Sequence, residues 1–130
     1  MRVRVQPDIA LALQAGDPVV ALESSVLAQG LPIPANRDAA ERMTAGVQRG
    51  GARAAITAVV RGQAVLGLDS TELERFLARD GVRKVSSRDL GVAIAQGVDG
   101  ATTVAASLCI AGAIGVPVFA TGGKIGRAHV

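Results

Sequence analysis

Pro18-Val19-Val20-Ala21-Leu22-Glu23-Ser24-Ser25 is the stretch that decides the fold. An unbroken apolar run that short, ending in an acid and two hydroxyls, reads as a strand covered on both faces, and such strands belong to sheets with helices on either side. The segments around it alternate between apolar runs and helix-period patterns, which is the signature of an α/β domain.

Working outward, residues 8–15 read as a short first helix with Pro7 near its start and Gly16 closing it. Leu31-Pro32-Ile33-Pro34 cannot be helical, because each proline pushes its predecessor into extended geometry, and a helix over 35–49 begins just after it and stops at Gly50-Gly51. Residues 53–60 are strand-like, Arg61-Gly62 is a tight turn, and 63–68 return as a second arm, so the sheet is expected to be mixed. Asp69-Ser70-Thr71-Glu72 supplies caps for a helix whose face is Leu73, Phe76 and Leu77. A short extended piece at 84–86 precedes a helix over 88–96 with Ser87 as its cap. An alanine-rich helix over 102–115 then leads to a strand at 116–120 and the turn Thr121-Gly122-Gly123. No repeat or linker divides the chain.

Its 130 residues, 49% hydrophobic and 19% charged, suffice for one packed core and argue against intrinsic disorder. Phe76 and Phe119 are the only aromatic residues, so the stacking platforms of single-strand nucleic-acid binders are missing and no nucleic-acid partner is expected despite the net charge of +3. Cys109 alone cannot form an internal disulfide or a cysteine-based zinc site, fits a reduced cytoplasmic setting, and reads as an inert core residue. Met1-Arg2-Val3-Arg4 runs into Pro7 without a signal-like apolar region, and no membrane partner is expected. His129 has no evident partner, which argues against a catalytic or metal role. Twelve arginines stand against two lysines, Lys84 and Lys124; a lysine retained in such a chain marks either a place that wants a compact amine or a chance of codon bias.

Ligands of open α/β sheets bind beyond the carboxyl ends of the strands. Glu23 closes the apolar run there, in a partly dry setting suited to acid/base work, or else it is a surface acid or helix-dipole partner. Lys84-Val85-Ser86-Ser87-Arg88 reads as an anion cradle at a helix start, or as an ordinary cap flanked by surface cations. In Gly100-Ala101-Thr102-Thr103-Val104-Ala105 one threonine is explained by capping; the second is left over for a ligand.

Val19-Val20-Ala21-Leu22-Glu23-Ser24-Ser25-Val26 and Gln29-Gly30-Leu31-Pro32-Ile33-Pro34 together resemble the opening of the pseudouridine-5′-phosphate glycosidase family, also called indigoidine synthase A-like. Further matching blocks follow in order: Ala55-Ile56-Thr57-Ala58-Val59, Val65-Leu66-Gly67-Leu68, Lys84 to Leu90, Gly100 to Ala105, and Val118 to Gly123. The resemblance implies a three-layer α/β/α fold with a mixed, mostly parallel sheet, a homotrimer, and a divalent metal, Mn2+. It also implies reversible cleavage of the carbon–carbon bond between uracil and ribose 5-phosphate in pseudouridine 5′-phosphate. Residue by residue, it implies that Glu23 is the acid/base group, that Lys84 binds the sugar phosphate, and that Thr103 and Val104 contact substrate.

Two blocks depart mildly from the family, which usually has Ser-Thr after the glutamate and Ser-Arg-Arg-Asp after the valine, where this chain has Ser24-Ser25 and Ser86-Ser87-Arg88-Asp89. Family chains are more than twice as long, and their Schiff-base lysine and metal-binding aspartate come later than any residue here. Residues 1–123 are therefore expected to be the N-terminal part of one such domain, truncated on the C-terminal side and inactive alone. Lys124-Ile125-Gly126-Arg127-Ala128-His129-Val130 reads as a translated sequencing adapter, a non-native tail. The rival expectation is a non-catalytic phosphate- or nucleotide-binding α/β domain.

Overall fold

The computed structural model describes residues 1–121. Gly122, Gly123 and the expected tail at 124–130, with Lys124 and His129, lie outside the described residues. In chain order the elements are β1 (Val3–Val5), α1 (Pro7–Gln14), β2 (Val19–Leu22), a π-helix (Val26–Gly30), α2 (Ala35–Arg49), β3 (Arg53–Val60), β4 (Gln63–Leu66) and α3 (Ser70–Ala78). β5 (Val82–Val85), a 3-10 turn (Ser87–Asp89), α4 (Leu90–Gln96), β6 (Asp99–Thr102), α5 (Val104–Ile114) and β7 (Val118–Ala120) follow.

The α/β reading, the hairpin and most helices stand as expected, and three local expectations need correction. Ser86, not Ser87, caps the 3-10 turn, because its side chain and the Asp89 carboxylate serve each other's backbone amides. Thr102 belongs to β6, an unexpected strand, and only Thr103 caps α5. Cys109 is exposed and not a core residue, since it sits on the outward face of α5. Two glycines are required by close approaches: a Cβ on Gly100 would stand 2.4 Å from Cγ2 of Val85, and one on Gly62, at the hairpin turn with φ +79°, would stand 2.8 Å from the Ile94 carbonyl oxygen.

Among the described residues seven strands form one mixed sheet whose main path runs β1-β4-β3-β2-β7, with β6 also on β3 and β5 on β6. The β1·β4, β2·β3, β2·β7 and β5·β6 pairs are parallel, and β4 and β6 run antiparallel to β3. β4 occupies one edge of β3, and two strands share the other edge. β2 runs along its first half, in register from Val19 opposite Arg53 to Leu22 opposite Ile56. β6 comes the opposite way along its second half, with Gly100 opposite Val59 and Ala101 opposite Ala58. The carboxyl ends of β2 and β6 therefore meet head-on at Thr57.

Alternation along the strands builds three layers. Val19, Ala21, Ala55 and Val59 face a core completed by Ile9 and Ala12 of α1, Leu90 and Ala93 of α4, and Ala106, Ile110 and Ala111 of α5. On the other face, Leu22 and Ile56 pack with Leu27 of the π-helix, Ala40 of α2 and Leu77 of α3, while Phe76 of α3 covers Ala58, Val60 and Val65.

The head-on meeting is sealed by four fully buried hydroxyls. The Thr57 hydroxyl donates to the Leu22 carbonyl across 3.0 Å and lies 2.8 Å from the hydroxyls of both Thr102 and Ser107. The Thr102 amide donates to the Ser24 hydroxyl at 2.8 Å, and the Ser107 hydroxyl donates to the Thr103 carbonyl at 2.7 Å. Losing one member leaves buried partners unsatisfied, so Thr57→Val should destabilise the fold by about 1–3 kcal/mol and Thr57→Ser by less. Urea denaturation checks this, and an unchanged midpoint for Thr57→Val would contradict the role given to the network.

Candidate functional site

Beyond the carboxyl ends of β2, β5 and β6, the loops enclose a cleft of about 940 Å³. Glu23, Lys84, Thr103 and Val104, the four residues singled out in the sequence, all line it. They lie far apart in the chain, and the parallel register of β5 on β6, with Lys84 opposite Ala101 and Val85 opposite Thr102, carries Lys84 to the same rim as the start of α5.

Glu23 is 2% exposed at the end of β2. One carboxylate oxygen accepts a hydrogen bond from the Ser25 hydroxyl at 2.9 Å, and the other accepts from the hydroxyl of Thr121, just past β7. Burial of a carboxylate is costly, and these two donors offset part of that cost. The Lys84 side chain is exposed at the cleft, and among the described residues its ammonium has neither hydrogen-bond nor ion-pair partner.

Thr103 caps α5 by accepting from the Ala106 amide at 3.4 Å, and its own amide is bound to the Val85 carbonyl. The amides of Val104 and Ala105, which also line the cleft, fall in the first helical turn and have no intrahelical acceptor. With the helix dipole behind them and Lys84 on the same rim, they suit an anionic group.

The anion cradle expected of the whole Lys84-Val85-Ser86-Ser87-Arg88 stretch does not form. The Ser86 hydroxyl and amide are spent on Asp89, at 2.8 and 3.1 Å, and Lys84 alone of that stretch lines the cleft. Those two bonds, the hydroxyl's first, with Arg88 adding to them, hold the Asp89 carboxyl below its ordinary range. Because the folded value is the lower one, the turn's contribution to stability is present above the ordinary Asp range and is lost as pH falls through the folded value. The leftover threonine is also accounted for: Thr102 is buried in the hydroxyl network and does not face the cleft.

Arg42 escaped the sequence reading. It lines the cleft from α2, paired with Asp38 at 2.9 Å, and the signal available was its place on the helix face it shares with Ala39 and Met43. The outer wall is the π-helix, through Val26, Gln29 and Gly30, with Leu31 after it. This wall is tied down from behind: the buried Asn36 side chain donates to the carbonyls of Leu27 at 3.0 Å and Leu77 at 2.9 Å, and Arg79 donates to Leu27 and Leu31. Among the described residues no three His, Cys, Asp or Glu side chains gather into a metal site, and Glu23 is the only acid of the cleft.

Residues 8–130 match the family model described as "Indigoidine synthase A like protein". The pseudouridine-5′-phosphate glycosidase of Gemmatimonas aurantiaca is 59% identical over 129 residues, which are 99% of this chain and 42% of that protein. The Herpetosiphon aurantiacus protein of the same name is 50% identical over 123 residues, 95% of this chain and 40% of that one. The chain thus spans about two fifths of the length of these curated relatives. Among solved structures, the prealnumycin C-glycosynthase AlnA in complex with ribulose 5-phosphate superposes with a TM-score of 0.81 at 39% identity, covering 92% of this chain and 38% of AlnA. An indigoidine synthase A-like protein from Thermotoga maritima gives 0.80 at 29% identity, covering 92% of this chain and 39% of that one.

The bracing of the π-helix is directly testable. Asn36→Ala should cost about 1–3 kcal/mol and speed hydrogen exchange at the Leu27 and Ala28 amides, both bonded to the Ser24 carbonyl. Unchanged exchange at those two amides would mean that Asn36 does not hold the wall.

Proposed function

This chain belongs to the indigoidine synthase A-like family, and on that premise we propose that its cleft forms part of the active site of a pseudouridine-5′-phosphate glycosidase. The reaction is the reversible conversion of pseudouridine 5′-phosphate and water into uracil and ribose 5-phosphate. The names of the relatives support it, and so does a solved neighbour described as holding ribulose 5-phosphate, another phosphosugar. The observation that carries the reading is the gathering of Glu23, Lys84, Thr103 and Val104 on one cleft.

The chemistry fits the groups. Breaking a carbon–carbon bond leaves its electron pair on a uracil carbon, which must then take a proton, and the reverse reaction must remove it. Glu23, buried and held by two hydroxyls, is placed to carry that proton. Lys84 and the first amides of α5 hold the phosphate, with Arg42 adding positive charge at the outer rim.

The manganese ion implied by the family finds no donor set among the described residues, so no step is routed through it; we assign it to parts of the relatives that this chain does not span. We further propose a cytoplasmic homotrimer at family length. Supporting assembly, the outward face of α5 exposes Leu108, Cys109, Gly112 and Ala113 and carries no charge. Among the described residues no helix is long and apolar enough to cross a membrane.

Uracil release from pseudouridine 5′-phosphate, measured with manganese on a family-length protein carrying this chain, tests the reading. Glu23→Ala should lower kcat about a hundredfold or more, and Lys84→Ala should chiefly raise KM, by about tenfold or more. The opposite split would mean that the two roles are exchanged. No uracil release from the unaltered protein would favour a non-catalytic phosphate-binding domain.

A further inference from the structure

We propose that Ser25 and Thr121 are positioning residues for Glu23, each gripping one carboxyl oxygen, and that because both grips are hydroxyls they hold Glu23 in either protonation state. The inference rests on the reading of Glu23 as the proton carrier. Its geometric basis is the sheet register. β7 runs parallel to β2 with Ala120 opposite Leu22, so the next residues along, Thr121 and Glu23, emerge side by side above the sheet. The Thr121 hydroxyl bonds one carboxylate oxygen from there. Ser25 reaches the other at 2.9 Å from the start of the π-helix. The carboxyl is thus held by two separate chain segments, while its carbon stem is fixed by the end of β2.

The choice of donor matters as much as the grip. Glu23 is 2% exposed, and among the described residues it takes part in no ion pair. An arginine or a backbone amide only donates, and such a partner would favour the ionised carboxylate alone. A hydroxyl both donates and accepts. When Glu23 is ionised, both hydroxyls donate to it. When it carries the proton, that O–H can donate to one hydroxyl while the other goes on donating, so the carboxyl stays where it is. One proton passes from Glu23 to the uracil carbon as the bond breaks and returns in the reverse reaction; Ser25 and Thr121 keep theirs. A group that must act as acid in one direction and base in the other needs partners of this kind.

The test uses uracil release by the family-length protein, with Glu23→Gln as the reference. Thr121→Val should lower kcat about ten- to hundredfold with KM within about twofold, Thr121→Ser should recover kcat to within about threefold, and Ser25→Ala should fall in the same direction as Thr121→Val. Full kcat in Thr121→Val and Ser25→Ala beside an inactive Glu23→Gln would overturn the grip while sparing the role of Glu23. A rise in KM in place of the fall in kcat, or failure of Thr121→Ser to recover it, would also overturn it. An active Glu23→Gln would defeat the proton-carrier reading and the grip together. Should Thr121→Val fail to fold, Ser25→Ala and Thr121→Ser still decide the matter, since the hydroxyl is absent from the first and kept in the second.

Discussion

Two strands that meet head-on along the edge of a third leave backbone polar groups in a buried corner, and that corner has to be satisfied before anything else can be built on it. Here it falls at Thr57, between the end of β2 and the end of β6. Four hydroxyls, those of Ser24, Thr57, Thr102 and Ser107, fill the corner and bind the Leu22 carbonyl, the Thr103 carbonyl and the Thr102 amide. A hydroxyl is the smallest side-chain group that can both give and take a hydrogen bond. An apolar residue at any of these positions would leave a partner bare, and a charged one would not fit a site with no access to water.

The cleft follows from the same corner. Because β2 and β6 point at each other, their following segments must turn out of the sheet, and the π-helix and α5 are those turns. β5 and β7, parallel to β6 and β2 respectively, bring Lys84 and Thr121 up beside them. A carboxyl, a lysine and a helix N-terminus are thereby placed around one opening by backbone register, which is stiffer than any loop. The rim is held separately, by Asn36 and Arg79 on the carbonyls of the π-helix and of Leu31.

Much of this was legible in the sequence, and the exceptions have physical reasons. The run at Val19 to Leu22 showed its two-sided burial through an absence of polar residues, and Glu23, Lys84, Thr103 and Val104 stood where strands give way to loops or helices. β6 stayed hidden because Asp99-Gly100-Ala101-Thr102 carries an acid and a glycine, both poor strand formers, and its glycine answers to Val85 of a neighbouring strand. β1 is three residues long and offers no periodicity. The hydroxyl network draws on four distant segments, so no local pattern announces it, and Thr102 looked available for a ligand because its buried partners were out of view. Arg42 was hidden by the converse effect, since an exposed arginine on a helix looks ordinary until the fold shows what it faces. Cys109 misled because the exposed side of α5 is as apolar as most of its buried side, so composition does not tell the two apart.

The proposed function requires that this corner of the sheet build a single phosphosugar cleft. A crystal structure of the family-length protein with ribose 5-phosphate tests it most directly. The phosphate is expected within hydrogen-bonding reach of Lys84 and the Val104 and Ala105 amides, with the sugar carbon that bears uracil in pseudouridine 5′-phosphate turned towards the Glu23 carboxyl. A phosphosugar bound elsewhere, or one in the cleft with its phosphate away from Lys84 and its reacting carbon out of reach of Glu23, would contradict it.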